Sequence, residues 1–383
     1  MFDLTIIGGG VLGAFHAYHA LNSGLKVALV EKGNRPQGAT IRNFGQVIPS
    51  GMNARWQSYG RESLAIYNDI MGKIDLTVRK QGTVYLASDA EEMQLIEELH
   101  SINVSRGYTA DLVSKQNCLK KYSGLRADYI EGGLFFPEEL TVEPRVMIYR
   151  LLDYMVNELS LTYYPSTTVI ACENNGSVIT TTSACGKNLK SDKVILCNGS
   201  EFKTLYPSVF NKSGMEISKL QMMQTKPQPK SYHLPGSILT GGSIRRYEAF
   251  QECPSYGPIK RKEANDTLEK KWGVHILFKQ AMDGSVIIGD SHQYADARNS
   301  EELGFDLDMD IDQFMLQKAK EIINLPTYKI AYRWYGTYAQ CKNGELYKKT
   351  IDENIHIVTG IGGKGMTGSP AYAKENIEKL FNL

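Results

Sequence analysis

Residues 4–13 of the chain read Leu-Thr-Ile-Ile-Gly-Gly-Gly-Val-Leu-Gly, an apolar run that passes directly into a glycine motif. Its glycines have the spacing G-x-G-x-x-G. Gly8 permits a tight turn, Gly10 lets backbone amides approach a pyrophosphate, and Gly13 allows a helix to pack closely on the strand. The stretch therefore predicts a buried strand followed by a helix whose N-terminus faces a dinucleotide.

The residues that follow complete a nucleotide-binding unit. A helix of small residues ends at Ser23-Gly24, and a second strand, from Leu25 to Val30, ends at Glu31. Glu31 lies eighteen residues after the last glycine, close to the usual spacing of about 20 residues for a carboxylate that binds a ribose hydroxyl. An acid here favours FAD or NAD over NADP. The order of strand, helix, strand and acid predicts dinucleotide binding.

The composition argues against several classes of function. The chain has 383 residues, enough for two or three domain-sized cores, and a net charge of +1. This balance provides no basic field for nucleic acid or an anionic membrane. The six cysteines contain no C-x-x-C pair, so we expect neither a disulfide framework nor a metal site. Asp3 precedes the apolar run and Gly8 interrupts it, so we expect no signal peptide, no integral membrane segment and a cytoplasmic location.

Two later segments repeat the pattern of a strand that ends in glycine: residues 193–199 (KVILCNG) and residues 356–368 (HIVTGIGGKGMTG). Ser369 and Pro370 then suit the N-cap and first position of a closing helix. The free amides of a helix N-terminus, with the cation of Lys364, would stabilise the negative charge that develops on a flavin. A NAD dehydrogenase has no evident need for such a loop, so the sequence favours FAD.

Taken in order, these features resemble the D-amino-acid oxidase superfamily, which includes glycine and sarcosine oxidases and D-amino-acid dehydrogenases. The resemblance extends over essentially the whole chain. It includes residues 40–46 (TIRNFGQ), where the family's flavin loop lies, and residues 80–86 (KQGTVYL), 142–144 (VEP) and 283–289 (DGSVIIG). Within the superfamily the chain is similar to a subgroup often encoded beside genes for phosphonate breakdown. The shared stretches are residues 42–45 (RNFG), 219–223 (KLQMM), 245–250 (RRYEAF) and 289–292 (GDSH).

The resemblance implies an α/β fold, with a Rossmann-like FAD-binding domain and an α+β substrate domain whose mixed or antiparallel sheet covers the flavin. Residues 1–72, 140–205 and 331–383 would form the FAD-binding domain, and residues 73–139 and 206–330 the substrate-binding domain. FAD would be held non-covalently. The residues expected to bind it are Gly8, Gly10, Val11, Leu12, Gly13, Glu31, Lys32, Thr40, Arg42, Asn43, Gly45, Gln46, Val169, Asn198, Gly199, Gly336, Gly362, Gly363, Lys364, Gly365, Met366 and Thr367.

The chain departs from the family at a position that matters for substrate choice. Relatives that oxidise amino acids carry W-x-G-x-R-P-x-T-x-D-G, whose arginine grips the substrate carboxylate. Residues 334–344 of this chain read WYGTYAQCKNG, so Tyr338 replaces that arginine. A phenol cannot substitute for a bidentate guanidinium. The difference argues against ordinary α-amino acids, unless another arginine has taken the role.

The remaining site predictions follow from the resemblance. Lys364, His275 and Tyr338 are the expected catalytic residues. The expected substrate contacts are Arg42, Phe44, Arg245, Tyr247, His275 and Tyr338. Some of these residues have another interpretation. His275, like His292, could be a hydrogen-bonded structural histidine. Arg245 and its neighbour Arg246 are either solvated or form an anion clamp.

The resulting hypothesis is FAD-dependent oxidation of an amine C–N bond by hydride transfer, with 2-aminoethylphosphonate or its N-methyl form as a candidate substrate. The first alternative is oxidation of a D-amino acid, glycine or sarcosine. An alternative of another class is a flavin domain that acts in tRNA modification, which the neutral net charge disfavours. Besides a small-molecule amine, the expected partner is oxygen or an electron carrier. The sequence leaves the acceptor, the exact substrate and the oligomeric state open.

Overall fold

Two large β-sheets organise the fold of the computed structural model, which describes residues 1–342 and 344–383. The strands are β1 Phe2–Ile7, β2 Val27–Val30, β3 Gln46–Val47, β4 Thr83–Ala87, β5 Asp111–Ser114, β6 Gly132–Phe136, β7 Leu140–Thr141, β8 Thr162–Tyr164, β9 Val169–Asn174, β10 Ile179–Ser183, β11 Asn188–Leu196, β12 Met215–Thr225, β13 Ser237–Leu239, β14 Leu277–Gln280, β15 Val286–Gly289, β16 Gln293–Asp296, β17 Ile330–Cys341, β18 Tyr347–Ile351 and β19 Ile355–Thr359.

Helices cover the faces of these sheets. They are α1 Val11–Asn22, α2 Ala54–Met71, α3 Ala90–Ser105, α4 Lys115–Lys121, α5 Pro144–Glu158, α6 Pro207–Phe210, α7 Gly241–Ile244, α8 Tyr256–Lys262, α9 Leu268–Trp272, α10 Met309–Ile322 and α11 Gly365–Phe381. Short 3-10 turns occur at Ala39–Ile41, Pro49–Gly51, Glu248–Glu252, Ala297–Leu303 and Gly362–Lys364. Within the described residues, we find no helix that combines the length and apolar character needed to cross a bilayer.

The first sheet has a parallel centre, with the strand order β18-β19-β11-β1-β2-β8. Strand β1 pairs in parallel with β11 on one side and β2 on the other. Because parallel strands end at the same edge, the loops after Ile7, Val30 and Leu196 meet there. The glycine motif, Glu31 and the Asn198-Gly199 pair follow these three strands, so the sheet brings together segments that are far apart in sequence.

The second sheet is mixed, with the order β16-β12-β15-β14-β13-β4-β6-β5. The long strand β17 also joins it, by antiparallel pairing with β12. This differs from the domain division drawn from the sequence, which placed residues 331 onward with the cofactor domain. Residues 330–341 extend the second sheet, and the chain returns to the first sheet at β18. The two kinds of sheet confirm the predicted α/β fold.

Helix α11 starts earlier than the sequence predicts, because Gly365 already lies in the helix and Pro370 is inside it. Proline cannot donate a hydrogen bond to the carbonyl four residues before it. Here that carbonyl belongs to Met366 and accepts a hydrogen bond of 2.9 Å from the buried Tyr67 hydroxyl of α2. The Tyr67 hydroxyl of α2 therefore compensates for the lost helical hydrogen bond. Because the helix already begins at Gly365, the prediction that Ser369 is its N-cap was wrong.

Glu139 is fully buried in the loop before β7. Its Oε1 accepts hydrogen bonds from the Ser50 amide at 2.7 Å and the Tyr108 hydroxyl at 3.0 Å. Its Oε2 is buried without a hydrogen-bond partner among the described residues. Burial raises the pKa of Glu139 to about 7, although the bonds from Ser50 and Tyr108 act in the opposite direction. The side chain of Glu139 is therefore more readily protonated in the folded chain than in the unfolded chain.

This pKa predicts how stability depends on pH. Because the pKa of Glu139 is higher in the folded chain than its ordinary value of 4.5, its protonation stabilises the fold. The contribution is complete below the unfolded-state pKa and is lost as pH rises through about 7. Relative to Glu139→Gln, wild-type protein should lose on the order of 2–3 kcal/mol of unfolding free energy between about pH 5 and about pH 8. Urea unfolding of both proteins measures this difference, and a constant difference would contradict the prediction.

Candidate active site

A cavity of about 860 Å³ lies where the carboxyl edge of the first sheet meets the second sheet. The loops that follow β1, β2 and β11 line one part of it. Residues of β12, β14 and β17 line another part, and the loop from Thr359 to Thr367 closes a third. Both sheets thus contribute to a single cavity, which is a common location for a ligand in α/β folds.

The glycine motif adopts the geometry that its spacing predicts. Gly8 has a φ of +105°, in the left-handed region that other residues rarely adopt. A Cβ atom at Gly13 would lie 2.0 Å from the carbonyl oxygen of Gly8, so the close approach of α1 to β1 requires glycine there. Gly10 and Val11, where α1 begins, line the cavity. The positive end of the helix dipole therefore faces the cavity.

Glu31 ties the end of β2 to this loop. Its Oε2 accepts a hydrogen bond from the Gly9 amide at 2.9 Å, and its Oε1 accepts one from the Gly33 amide at 2.9 Å. The side chain is buried and lines the cavity. Each carboxylate oxygen has a second lone pair, so Glu31 can still accept a hydrogen bond from a ribose hydroxyl.

Two buried polar atoms of the cavity wall also point to a ligand. Gln46 Nε2 and Asn198 Oδ1 have no hydrogen-bond partner among the described residues. Buried polar groups are normally satisfied, so such atoms suggest a partner that is not part of the protein. With the helix N-terminus and Glu31, they form a donor and acceptor set that fits FAD.

Most of the residues predicted for cofactor and substrate line this cavity. They are Gly8, Gly10, Val11, Leu12, Glu31, Lys32, Thr40, Arg42, Asn43, Phe44, Gln46, Val169, Asn198, Gly199, Tyr247, His275, Tyr338, Gly362, Gly363, Lys364, Gly365, Met366 and Thr367. Four predicted residues are not part of the lining: Gly13, Gly45, Gly336 and Arg245. The three glycines support neighbouring segments, since an added Cβ would lie 2.2 Å from Val142 O at Gly45 and 2.7 Å from the Tyr338 ring at Gly336.

Arg245 has a structural environment and does not stand where the substrate prediction required. Its guanidinium nitrogens lie 2.7 Å from Asp89, 3.2 Å from Glu91 and 2.8 Å from Glu92. Glu263 adds a fourth carboxylate at 3.5 Å. A guanidinium engaged by four acids holds α3 and α7 together and has no capacity left for a substrate anion. We therefore withdraw Arg245 as a substrate residue.

Lys364 lines the cavity, but its charge is already balanced. Its Nζ lies 2.7 Å from Glu248 Oε1 and donates a hydrogen bond of 3.0 Å to the Gly344 carbonyl. Asn53 donates a hydrogen bond to the other oxygen of Glu248 at 3.0 Å. The ion pair fixes Lys364 at the start of α11. Its role as a catalytic cation remains a proposal.

Arg42 and Arg246 are cavity-lining cations of a different kind. Arg42 donates hydrogen bonds to the carbonyls of Gln37 at 2.9 Å and Tyr335 at 3.2 Å. Arg246 donates one of 2.5 Å to the Tyr294 hydroxyl. Neither guanidinium forms an ion pair with a carboxylate in the described part of the chain. Both can therefore contribute positive charge to a bound anion.

Tyr338 lies in the cavity wall and is 7% exposed. Burial raises its pKa well above the ordinary value, and the nearby Asp290 carboxylate adds to this effect. The phenol therefore stays neutral at physiological pH and can act as a hydrogen-bonding group. It supplies no charge in place of the arginine that relatives carry.

The second sheet contributes a cluster in which the sequence analysis named His275 and His292 but missed Asp290. His275 Nε2 lies 3.1 Å from Asp290 Oδ1, and His292 Nδ1 lies 3.8 Å from the same oxygen. Ser243 Oγ is 3.1 Å from His275 Nδ1, and the Gly273 carbonyl is 3.0 Å from His292 Nδ1. The sequence signal was present in residues 289–292 (GDSH), but nothing local showed that Asp290 would face a cavity.

Burial sets the protonation of this cluster. It lowers the pKa of His292 to about 3 and also lowers the pKa of His275, against the attraction of Asp290. Burial opposes ionisation of Asp290, but its interactions with His292, His275 and Arg246 outweigh burial and hold the pKa of Asp290 below its ordinary value. The cluster therefore presents a carboxylate beside two neutral imidazoles at physiological pH.

Glu31→Gln tests the cofactor half of the site. The amide has only one acceptor oxygen, so the substitution loses a loop hydrogen bond and the charge-assisted bond to a ribose. FAD affinity should fall about ten- to a hundredfold, corresponding to about 1.5–3 kcal/mol. Fluorescence titration of the apoprotein with FAD measures the change. The exposed Glu173→Gln is a matched control that should bind FAD as wild-type does, and an unchanged affinity of Glu31→Gln would remove Glu31 from the cofactor site.

Comparison with known proteins places these features in one family. The model of the DAO family, described as FAD dependent oxidoreductase, matches residues 3–378. The chain is 23% identical over 400 aligned residues to a glycerol 3-phosphate dehydrogenase of Caloramator mitchellensis. The alignment covers all of this chain and 74% of that protein.

Two solved structures are similar over the whole chain. A glycine oxidase from Geobacillus kaustophilus has a TM-score of 0.78 at 15% identity, and covers 100% of this chain and 95% of its own. An L-α-glycerophosphate oxidase from Mycoplasma pneumoniae with FAD bound has a TM-score of 0.78 at 17% identity, with the same coverage. These structures show the fold. Because the family model covers nearly the whole chain, the protein belongs to the DAO family of FAD-dependent oxidoreductases.

Proposed function

We propose that this enzyme oxidises a C–N bond in a small amine that also carries an anionic group. We further propose that this group is a phosphonate, as in 2-aminoethylphosphonate or its N-methyl form. The observation that carries the proposal is the pair of cavity-lining guanidiniums, Arg42 and Arg246, that have no carboxylate partner in the described residues. Tyr338 adds a neutral donor where amino-acid-oxidising relatives have their arginine.

The arrangement of these donors suits a phosphonate better than a carboxylate. A carboxylate has two oxygens in one plane and is matched by the fork of a single guanidinium. A phosphonate has three acceptor oxygens and up to two negative charges, so it can use donors that approach from several directions. Arg42, Arg246 and Tyr338 come from three separate segments and provide such a dispersed set.

The protein's part in the reaction is positioning and desolvation. When bound, FAD supplies the acceptor for the hydride that leaves the carbon next to nitrogen. Phe44, Leu220 and Leu277 form apolar parts of the wall, and they exclude water from the reacting carbon. The nitrogen lone pair drives loss of the hydride, so no side chain has to abstract a proton from carbon.

A second candidate is oxidation of an alcohol that carries a phosphate. Its support is the relative that aligns with the whole chain, which is described as a glycerol 3-phosphate dehydrogenase. The same cations could hold a phosphate, and so anion recognition alone does not separate the two. The reacting bond separates them: an amine must lose its ammonium proton before the hydride leaves, whereas an alcohol must lose its hydroxyl proton.

A substrate panel tests the proposal under anaerobic conditions, with loss of the flavin's visible absorbance as the readout. We expect 2-aminoethylphosphonate or its N-methyl form to bleach the flavin faster than glycine, sarcosine or D-alanine. The difference should be about ten- to a hundredfold, because a carboxylate accepts fewer charge-assisted hydrogen bonds from these dispersed donors than a phosphonate does, and each is worth about 1.5–3 kcal/mol. The rate should rise with pH through the pKa of the bound amine.

Two outcomes would contradict the proposal. Rapid bleaching by D-alanine with none by the aminophosphonates would restore the amino-acid oxidase alternative. Bleaching by glycerol 3-phosphate alone would favour the alcohol. Arg245→Gln is not a suitable probe of anion binding, since its guanidinium is engaged elsewhere. Arg246→Gln is the informative variant and should raise KM for the phosphonate while FAD stays bound.

A further inference from the structure

Asp290 is a buried carboxylate in the cavity wall, with 7% of its surface exposed. Its Oδ1 lies 3.1 Å from His275 Nε2, which is within hydrogen-bond distance. The basic groups within 4.0 Å of it are His275 and His292, and burial keeps both imidazoles neutral. No lysine or arginine of the described residues reaches that distance. Arg246 attracts the carboxylate electrostatically from beyond 4.0 Å. The position directly beside the carboxylate can therefore still accept a cation from outside the protein.

We propose that Asp290 binds the ammonium group of the substrate, so that a carboxylate–ammonium pair orients the amine in this enzyme. The inference rests on the proposed function, because it assumes an amine substrate. It also fixes the orientation of the substrate in the site. The amine lies toward β15 and the cluster that Asp290 forms with His275 and His292. The anionic group of the same molecule is left for Arg42 and Arg246.

A metal ion is the competing cation, because two imidazoles and a carboxylate are familiar ligands. The ring geometry argues against it. The rings of His275 and His292 are stacked with an interplanar angle of 22° and centroids 5.3 Å apart. Imidazole lone pairs lie in the ring plane, so nearly parallel rings direct them side by side and not toward one ion. His292 Nδ1 is also 3.0 Å from the Gly273 carbonyl, which occupies that nitrogen.

The surroundings of Asp290 suit an organic cation. The Tyr247 ring packs edge-on against His275 with centroids 5.6 Å apart, and Tyr338 lines the same cavity. Aromatic faces attract alkylammonium groups and stabilise them in a desolvated site. They offer no ligand atoms to a hard metal ion. A carboxylate beside aromatic rings therefore favours an ammonium group.

Isosteric pairs of ligands test the charge preference directly. In each pair a methyl group replaces the ammonium: 2-aminoethylphosphonate against propylphosphonate, and glycine against propionate. Titration calorimetry would use FAD-loaded protein reduced with dithionite, which cannot turn the amine over. We expect the ammonium member of at least one pair to bind about ten- to a hundredfold more tightly than its isostere. Asp290→Asn should remove that preference and leave binding of the isostere unchanged.

A pH profile gives a readout that a merely structural role would not change. The Asp290 carboxylate should raise the pKa of the bound amine, which must be neutral before the hydride can leave. In Asp290→Asn the pH midpoint of flavin bleaching by an amine should therefore move downward by about one unit or more. Glu201→Gln is a matched control, because Glu201 lines the cavity elsewhere and should leave the midpoint unchanged.

Three results would overturn the inference. The first is equal affinity for both members of every pair in wild-type protein, a test that holds even if Asp290→Asn fails to fold. The second is a preference that survives in Asp290→Asn. The third is zinc that stays bound at one equivalent after dialysis against EDTA and is absent from Asp290→Asn, which would assign the site to a metal. Ammonium preference without any flavin bleaching would contradict only the proposed oxidation.

Discussion

Helix α1 approaches strand β1 so closely that a single added carbon at Gly13 would lie 2.0 Å from the Gly8 carbonyl oxygen. This contact fixes where the helix begins, and the surrounding loops are tied to that point. The Val11 amide bonds to Thr40 Oγ1 at 2.9 Å, which brings in the loop after β2. The Gly9 amide bonds to Glu31, which brings in the end of β2 itself. One backbone approach therefore positions the loops that form the nucleotide end of the cavity.

The other end of the cavity depends on a second helix start, that of α11. Its residues from Gly365 to Thr367 line the cavity, while the rest of the helix packs on α1 and α2. Pro370 breaks one hydrogen bond of the helix, and the Tyr67 hydroxyl replaces it at Met366. His19 of α1 contacts the Pro370 carbonyl at 2.9 Å. The carbonyls of Met366 and Pro370 thus connect α11 to its two neighbours, α2 and α1, and these contacts hold the two helix starts in fixed relative positions.

What could be predicted from the sequence follows from the range of the forces involved. The glycine motif was readable because backbone sterics act between adjacent residues, and the structure shows the turn at Gly8. The charged residues were harder, because their partners are distant in sequence. Arg245 meets Asp89, which lies 156 residues away, and Lys364 meets Glu248, which lies 116 residues away. Asp290 lies in the GDSH stretch of residues 289–292, which the sequence already indicated as a family feature. Only the pairing of β15 with β12 and β14 places the end of β15 at the cavity.

Two adjacent arginines show how the fold sorts its charges. Arg245 is surrounded by four carboxylates and serves to join α3 to α7. Arg246, one residue later, faces the cavity and bonds only a tyrosine hydroxyl in the described structure. An ionised group that is removed from water needs a compensating partner. The chain supplies that partner where the charge is structural, as at Arg245 and Lys364. Arg42 and Arg246 have no carboxylate within 4.0 Å among the described residues, and the basic groups that close to Asp290 there are the imidazoles of His275 and His292. Under the proposed function, the anionic and ammonium ends of a small zwitterion would supply these contacts.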